Sequence, residues 1–462
     1  MSGIVSSPSL WGAVRAGGML RTLALCLGVW LHAADSLVAA TVMPSAVRDI
    51  GGAALIYWTV ALYQLGSIVA GAATGVLVVR LGLSRAMSVA ALIYALGCAV
   101  SALAPDMSVM LAGRLLQGLG GGWMMALAFV GVTQLFPAGL WPQLIALISG
   151  VWGISALTGP LVGGVFASAG LWRGAFWAFA GQALLLLVLM PLLPGAGTAV
   201  ARVERLPWRR LVLLSLGVLA VLQAGMQDTP LQTAGLVAAG LLLLALFLIQ
   251  EAGAAVRLFP RAVLDPRTPW GPGFIMILAM STATVSFMIY GPYLMETLHG
   301  VSPLTGGFVL AVESVAWSLA AIVFAGATVR QEPLLIRAGV ICIGAGTVGF
   351  ALLMPHGPVA WLLPWALLQG AGFGMCWAFV VRRLVARVDA TDRERTSSAA
   401  PTLQMIGYAL GAALAGMVAN GLGLGDGVEL AVVREMGFWV FAAFWPLAVV
   451  GIWGGWRLAE RG

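Results

Sequence analysis

Of the 462 residues in this chain, 61% are hydrophobic and only 9% are charged, and the net charge is +7. Soluble proteins carry roughly 25% charged residues, so these residues cannot cover a water-exposed surface and lipid is the expected solvent. All 24 basic residues are arginine and most lie in short segments between apolar runs, a distribution that fits membrane topology and excludes a nucleic-acid-binding face.

A membrane-crossing helix needs about 20 mostly apolar residues. Six such runs open the chain, near 20–45, 54–79, 86–104, 108–135, 142–168 and 172–193. Two follow near 210–226 and 230–249, and six more near 273–295, 303–326, 333–354, 358–381, 396–420 and 434–456. The expected fold is therefore an all-α polytopic membrane protein of fourteen spans. With the N-terminus in the cytoplasm, twenty arginines fall in inner loops and tails, three (Arg48, Arg173, Arg434) in outer loops, and Arg114 within a span. That bias supports an even span number and two cytoplasmic termini. The charged loops 195–209 and 250–270 bracket the middle pair. They divide the chain into a six-span bundle (1–198), a two-span insert with its loops (199–268) and a second six-span bundle (269–462). Six-plus-six symmetry is a recurring transporter plan, with the site near mid-membrane between the halves.

The first run is of full span length with no small-residue cleavage site after it, so no cleavable signal peptide is expected. Cys26, Cys98, Cys342 and Cys376 each lie in an apolar run without C-x-x-C spacing, which reads as buried thiols rather than a disulfide frame or metal site. No cofactor is expected. A membrane-embedded enzyme or sensor is disfavoured, because the chain has no H-E-x-x-H, no Walker sequence and no appended domain, and His32, His299 and His356 are far apart.

Two motifs stand out inside spans. Gly113-Arg114-Leu115-Leu116-Gln117-Gly118-Leu119-Gly120-Gly121-Gly122 puts an arginine deep in the fourth run. A lone arginine there costs about 3 kcal/mol or more, so it should face a partner or a wet cavity. Gly159-Pro160-Leu161-Val162-Gly163-Gly164 combines a lost backbone donor with glycines that permit close approach, which predicts a kinked, tightly packed helix.

Together with Asp35-Ser36-Leu37-Val38-Ala39-Ala40-Thr41-Val42-Met43-Pro44 in span one and Trp172-Arg173 opening span six, these motifs resemble the major facilitator superfamily, and within it the fourteen-span drug:proton antiporters. Motif order and spacing match across the first bundle; the second half matches mainly in span layout. The resemblance implies two six-helix bundles plus two additional helices, alternating access, and an antiporter motif at Gly159, Pro160, Gly163 and Gly164. The family's gating loop, G-x-L-x-D-R-x-G-R-[RK], falls on Gly75, Arg80, Gly82 and Arg85, but Val79 stands where the family has its aspartate, and Leu83 and Ser84 replace basic residues. The family's charge lock is therefore weaker here or rebuilt elsewhere.

Asp35 lies roughly 22 Å into its span at 1.5 Å per residue, and an ionisable group at that depth is a functional candidate. It is expected to carry the proton; the alternative is a carboxylate satisfied structurally by Arg114. His32, three residues earlier on the same face, suits proton handling or is a packing residue. Arg114 couples protonation to movement or simply holds span four through backbone carbonyls. Glu313 in span ten faces the cavity from the second bundle, or pairs with an arginine near a helix end. Gln117, Gln404, Trp123 and Met124 are candidate substrate-cavity residues. The expected function is proton-coupled export of lipophilic, including cationic, compounds by a monomer in a bacterial inner membrane, its partners being substrate, protons and bilayer lipid. The rival reading is export of an endogenous siderophore or lipid-like metabolite.

Overall fold

The computed structural model describes residues 18–137, 140–192, 207–227, 229–254, 257–388 and 393–460. The side-chain surroundings of residues 75, 76, 142, 146, 149, 394, 395, 397 and 398 lie outside that description. So do the boundary expected at 198/199 and four of the twenty arginines expected on the inner side, Arg15, Arg202, Arg205 and Arg461.

The described residues are mostly helical. In chain order the helices are α1 Met19–Ile50, α2 Ile56–Leu81, α3 Leu83–Leu103, α4 Met107–Leu135, α5 Trp141–Ser168 and α6 Trp172–Leu192. Next come α7 Trp208–Ala224 and α8 Pro230–Ala252. The remainder are α9 Gly271–His299, α10 Pro303–Phe324, α11 Glu332–Leu353, α12 Leu363–Ala386, α13 Arg393–Gly421, α14 Leu430–Ala442 and α15 Trp445–Glu460. Among the described residues, 13 helical stretches are long and apolar enough to cross a membrane, and the 17-residue α7 falls just short. The last expected run is two helices: Pro446 has no N–H to give the Ala442 carbonyl, so the chain breaks at 443–444 and restarts at Trp445.

Local chemistry fixes the helix ends. Asp106, Thr229 and Ser302 cap α4, α8 and α10 by accepting the N–H groups of Val109, Gln232 and Thr305. Gly82, at φ +74°, alone makes the link between α2 and α3, a turn that a residue with a Cβ adopts only under strain.

Helices α1–α6 pack against one another, as do α9–α15. The two groups meet along α5 with α10, α2 with α13, and α1 with α9 and α10. At the end remote from residues 18 and 460, here the far end, several bonds join them. Arg48 Nη1 donates to Glu296 Oε2 at 2.7 Å. The Asp426 carboxylate accepts the N–H groups of Gly52 and Ala53 at 3.0–3.1 Å, and Asn420 Nδ2 donates to the Ala54 carbonyl at 3.0 Å. The α7–α8 pair sits against that seam: the Leu222 carbonyl of α7 accepts Tyr57 Oη of α2, and the Gly225 carbonyl accepts Asn420 Nδ2 of α13. Most of α8 faces outward.

Candidate functional site

The site lies in the first group, where α1, α2, α3 and α4 converge on Arg114. This arginine is 1% exposed, so its charge must be answered from within the protein. Its Nη1 lies 2.6 Å from Asp35 Oδ2 and donates also to Gln117 Oε1 at 3.0 Å, while Nε donates to the Thr59 carbonyl at 3.3 Å. Gln117 closes the ring: its Nε2 donates to Asp35 Oδ1 at 3.3 Å and to Cys98 Sγ at 3.1 Å, and its Oε1 accepts Ser101 Oγ. Gln117, a candidate cavity residue from sequence, is thus engaged with the ion pair through both its amide oxygen and its amide nitrogen. The amide orients both charges, since it can accept from the guanidinium and donate to the carboxylate at once.

Below the guanidinium lies Tyr63, its ring centroid 4.4 Å from the Arg114 Cζ. The Tyr63 hydroxyl reaches the His32 carbonyl at 2.9 Å and His32 Nδ1 at 3.0 Å. With a single hydroxyl proton, Tyr63 can donate to only one of them, so when it donates to the carbonyl the imidazole must donate Nδ1–H back. His32 therefore joins the site through Tyr63, and its ring meets Trp152 of α5 edge-on. Tyr63 had no sequence signal: a tyrosine in an apolar run reads as core.

The glycines of the arginine motif make these approaches possible. A Cβ on Gly118 would lie 2.1 Å from the Tyr63 carbonyl oxygen, and one on Gly122 2.4 Å from Ser67 Cα, so this face of α4 lies directly on α2. Gly113 and Gly120 do the same against Ser101 and Tyr94 of α3. The antiporter-type motif works likewise on two faces of α5. Gly159 and Gly163 admit Leu37 and Thr41 of α1, while Gly164 admits the backbone at Leu304 of α10, and the Pro160 carbonyl sits where a Cβ on Gly307 would stand. α5 therefore joins the Asp35 helix to the second group by backbone contact.

The remaining expected residues fall apart from this cluster. Trp123 and Met124 are buried, Met124 packing on Gly28 of α1, and neither belongs to the Arg114 cluster. Gln404 donates to Tyr408 Oη at 3.0 Å within α13. Arg80 and Arg85 are exposed beside Gly82, and Ser84 Oγ instead ties the start of α3 to the Met190 carbonyl of α6. Where Val79 leaves the first group's gating loop without the family's acid, the second group carries one on the same side: Glu332 at the start of α11 pairs with Arg382 and Arg383 of α12. Arg383 and Arg387 in turn cap the carbonyls of Leu458 and Ala459 at the end of α15.

Glu313 of α10 accepts Gln369 Nε2 of α12 at 2.9 Å. Its surroundings repeat the first site. Leu115-Leu116-Gln117-Gly118-Leu119-Gly120-Gly121-Gly122 of α4 is echoed by Leu367-Leu368-Gln369-Gly370-Ala371-Gly372-Phe373-Gly374 of α12. A Cβ on Gly370 would lie 1.9 Å from the Glu313 carbonyl oxygen, as one on Gly118 would lie 2.1 Å from that of Tyr63. Glu313 thus holds the place of Tyr63, Gln369 that of Gln117, and Ala366 that of Arg114.

The family model described as Major Facilitator Superfamily matches residues 25–411. The chain belongs to that superfamily. It is a multi-pass membrane transporter. It is 30% identical, over 100% of its length and 99% of the relative's, to a Mycobacterium tuberculosis protein named as a probable multidrug-efflux transporter. It is 25% identical to the tetracenomycin C resistance and export protein of Streptomyces glaucescens, covering 90% of this chain and 78% of that one. Solved structures share the fold: a bacterial homologue of the lysosomal transporter Spinster superposes with TM-score 0.70 at 15% identity, covering 96% of each chain. A D-xylose–proton symporter does so with TM-score 0.67 at 17% identity, covering 95% of this chain and 97% of that one.

Proposed function

We propose that this superfamily member is a drug:proton antiporter of the fourteen-span type. It exports lipophilic compounds, cations among them, from a bacterial cytoplasm across the inner membrane. The observation that carries this reading is the buried Asp35–Arg114 pair. A carboxylate and a guanidinium cost several kcal/mol each to desolvate and are weak as a stability device; a site that must gain and lose a proton gives them a use. A proton entering from the far, external end neutralises Asp35 and releases Arg114 to Gln117, Thr59 and Tyr63. Loss of that proton toward the cytoplasm restores the pair. Asp35 sits on α1, and α1 touches α5, α9 and α10, so a change at Asp35 reaches the contacts that the two bundles must exchange in alternating access.

The same proposal takes 1–198 and 269–462 as the moving bundles and 199–268 as the insert, with α7 as a short span and both termini cytoplasmic. It takes the monomer as the working unit, Glu313 as the carboxylate that sets charge preference, and Gln404 as a cavity donor beside Tyr408. The Mycobacterium relative's name supports efflux of several drugs. A second reading, export of an endogenous metabolite, draws on the Streptomyces relative named for resistance to and export of tetracenomycin C.

In proteoliposomes, Asp35→Asn should abolish accumulation of substrate driven by an imposed pH gradient, while equilibrium substrate binding persists. Binding-linked proton exchange should vanish with it. Accumulation that survives in Asp35→Asn moves the coupling role to Glu313 or His32. A screen of toxic compounds in a pump-deficient bacterial host names the cargo and separates the two readings.

A further inference from the structure

We infer that Tyr63 is a positioning residue of the coupling site: its ring face holds the Arg114 guanidinium while Asp35 is neutral. This rests on the proposed role of Asp35. The two charges occupy one buried site, so protonating Asp35 leaves Arg114 as a buried cation without its counter-charge, a costly state. What remains around the guanidinium is the Thr59 carbonyl at 3.3 Å, the Gln117 amide oxygen at 3.0 Å and the Tyr63 ring at 4.4 Å. An aromatic face attracts a cation through its quadrupole, more strongly where water is excluded. In the paired state the Asp35 carboxylate cancels much of the guanidinium's field at the ring; in the protonated state it does not. The ring therefore stabilises the protonated state more than the paired one, which makes Tyr63 a determinant of how readily Asp35 takes its proton.

Two structural features show that the ring is placed for this. Gly118 lets the Tyr63 backbone lie against α4, where any side chain would overlap its carbonyl. A Cβ on Gly121 would come within 3.0 Å of Tyr63 Oη and 3.2 Å of His32 Nδ1, so this position is left open for the hydroxyl contact. The hydroxyl, anchored to the His32 carbonyl, stops the ring from turning away. The titratable groups facing the pair are His32 from α1, Tyr63 from α2, and Tyr94 and Cys98 from α3, with Arg114 itself from α4. α5 meets His32 through Trp152, α6 meets α1 through Gln182, α9 through Glu296 at the far end and α10 through Gly307.

The test replaces Tyr63 with phenylalanine and then with mono-, di- and trifluorophenylalanine, which empty the ring face stepwise at almost constant shape. The readout is the pH of half-maximal gradient-driven transport in proteoliposomes, with the lipophilic cation ethidium as probe. The expected result is a monotonic move to more acid pH with each fluorine, about tenfold in proton concentration across the series. Phenylalanine itself should transport, because the face is retained. In the Asp35→Asn background, substrate binding measured across the same series should show no trend. A flat series with coupling intact and Asp35→Asn uncoupled overturns the assignment of Tyr63 while leaving Asp35 in place. Coupling that survives Asp35→Asn overturns the underlying reading instead. If trifluorophenylalanine impairs insertion, the phenylalanine-to-difluoro steps carry the same trend, and Tyr63→Leu should match or exceed the last step.

Discussion

The two halves of this transporter use one helical frame for opposite electrostatics. In the first, α2 and α4 close around a glutamine and a glycine stripe, and an ion pair of Arg114 with Asp35 sits beside an aromatic ring. In the second, α10 and α12 close in the same way, but the ring's place is taken by Glu313 and the arginine's by Ala366, leaving a carboxylate on an amide. Backbone packing is therefore common to both repeats and charge is the variable. A buried pair is a closed unit whose two halves need each other. A carboxylate whose hydrogen-bond partner among the described residues is one amide keeps further acceptor capacity, which on the proposed export function a cationic substrate would use.

The comparison breaks most visibly if one charge is removed from each half. Arg114→Gln strands the Asp35 carboxylate, and breaking a buried pair this way costs about 3–5 kcal/mol. The variant should unfold at markedly lower temperature in detergent, and Asp35→Asn combined with Arg114→Gln should recover most of the loss. If the double variant is as unstable as Arg114→Gln alone, the arginine is held by its backbone contact to Thr59 rather than by Asp35. Glu313→Gln should be far milder in stability, within about 1 kcal/mol, because an amide–amide hydrogen bond can replace the one lost. Its signature is functional: export of cationic compounds should fall more than export of neutral ones of similar size. An equal loss for both classes would make Glu313 a structural partner of Gln369.

Much of the first site could be read from the residue types. An aspartate and an arginine inside apolar runs are expensive, so each stood out as needing an answer, and their pairing was one of the two readings open to Asp35. The all-helical build and most helix positions followed from run length, and the close approaches at Gly159, Gly163 and Gly164 from glycine spacing, whereas the short α7 and the break of the last run at 443–444 did not. Tyr63 escaped because tyrosine is at home in a membrane core; nothing local distinguishes a ring under a guanidinium from a ring against leucine. Gln117 was legible as polar but not as saturated, since saturation depends on four partners from three helices. The pairing of Glu313 with Gln369 did have a signal, the L-L-Q-G-x-G-x-G run repeated in α4 and α12, which marks the glutamine of each half. The substitution at Val79 was visible, whereas the acid at Glu332 was not, because its partners lie fifty residues away on another helix.

The smallest expected effect lies at the far end, where the halves touch through an exposed carboxylate. Asp426 accepts the N–H groups of Gly52 and Ala53, and those two donors hold its carboxyl below the usual aspartate range. A group whose folded value is depressed stabilises the contact above its free value, about 3.9. That stabilisation is lost as pH falls through the bound value, so closure of the far end should be insensitive to pH near neutrality and loosen only in strong acid. Spin labels at Leu103→Cys and Leu430→Cys report this directly, in a chain whose four native cysteines have been replaced; both positions are exposed, on α3 and α14 respectively. Asp426→Asn should shift the near/far distance populations by less than about fivefold, the range of an exposed pair, and should remove the acid-dependent step. The variant keeps a carbonyl acceptor but no charge, so persistence of the step in Asp426→Asn would assign it to another far-end carboxylate, Glu296 being the one that joins the same two bundles through Arg48.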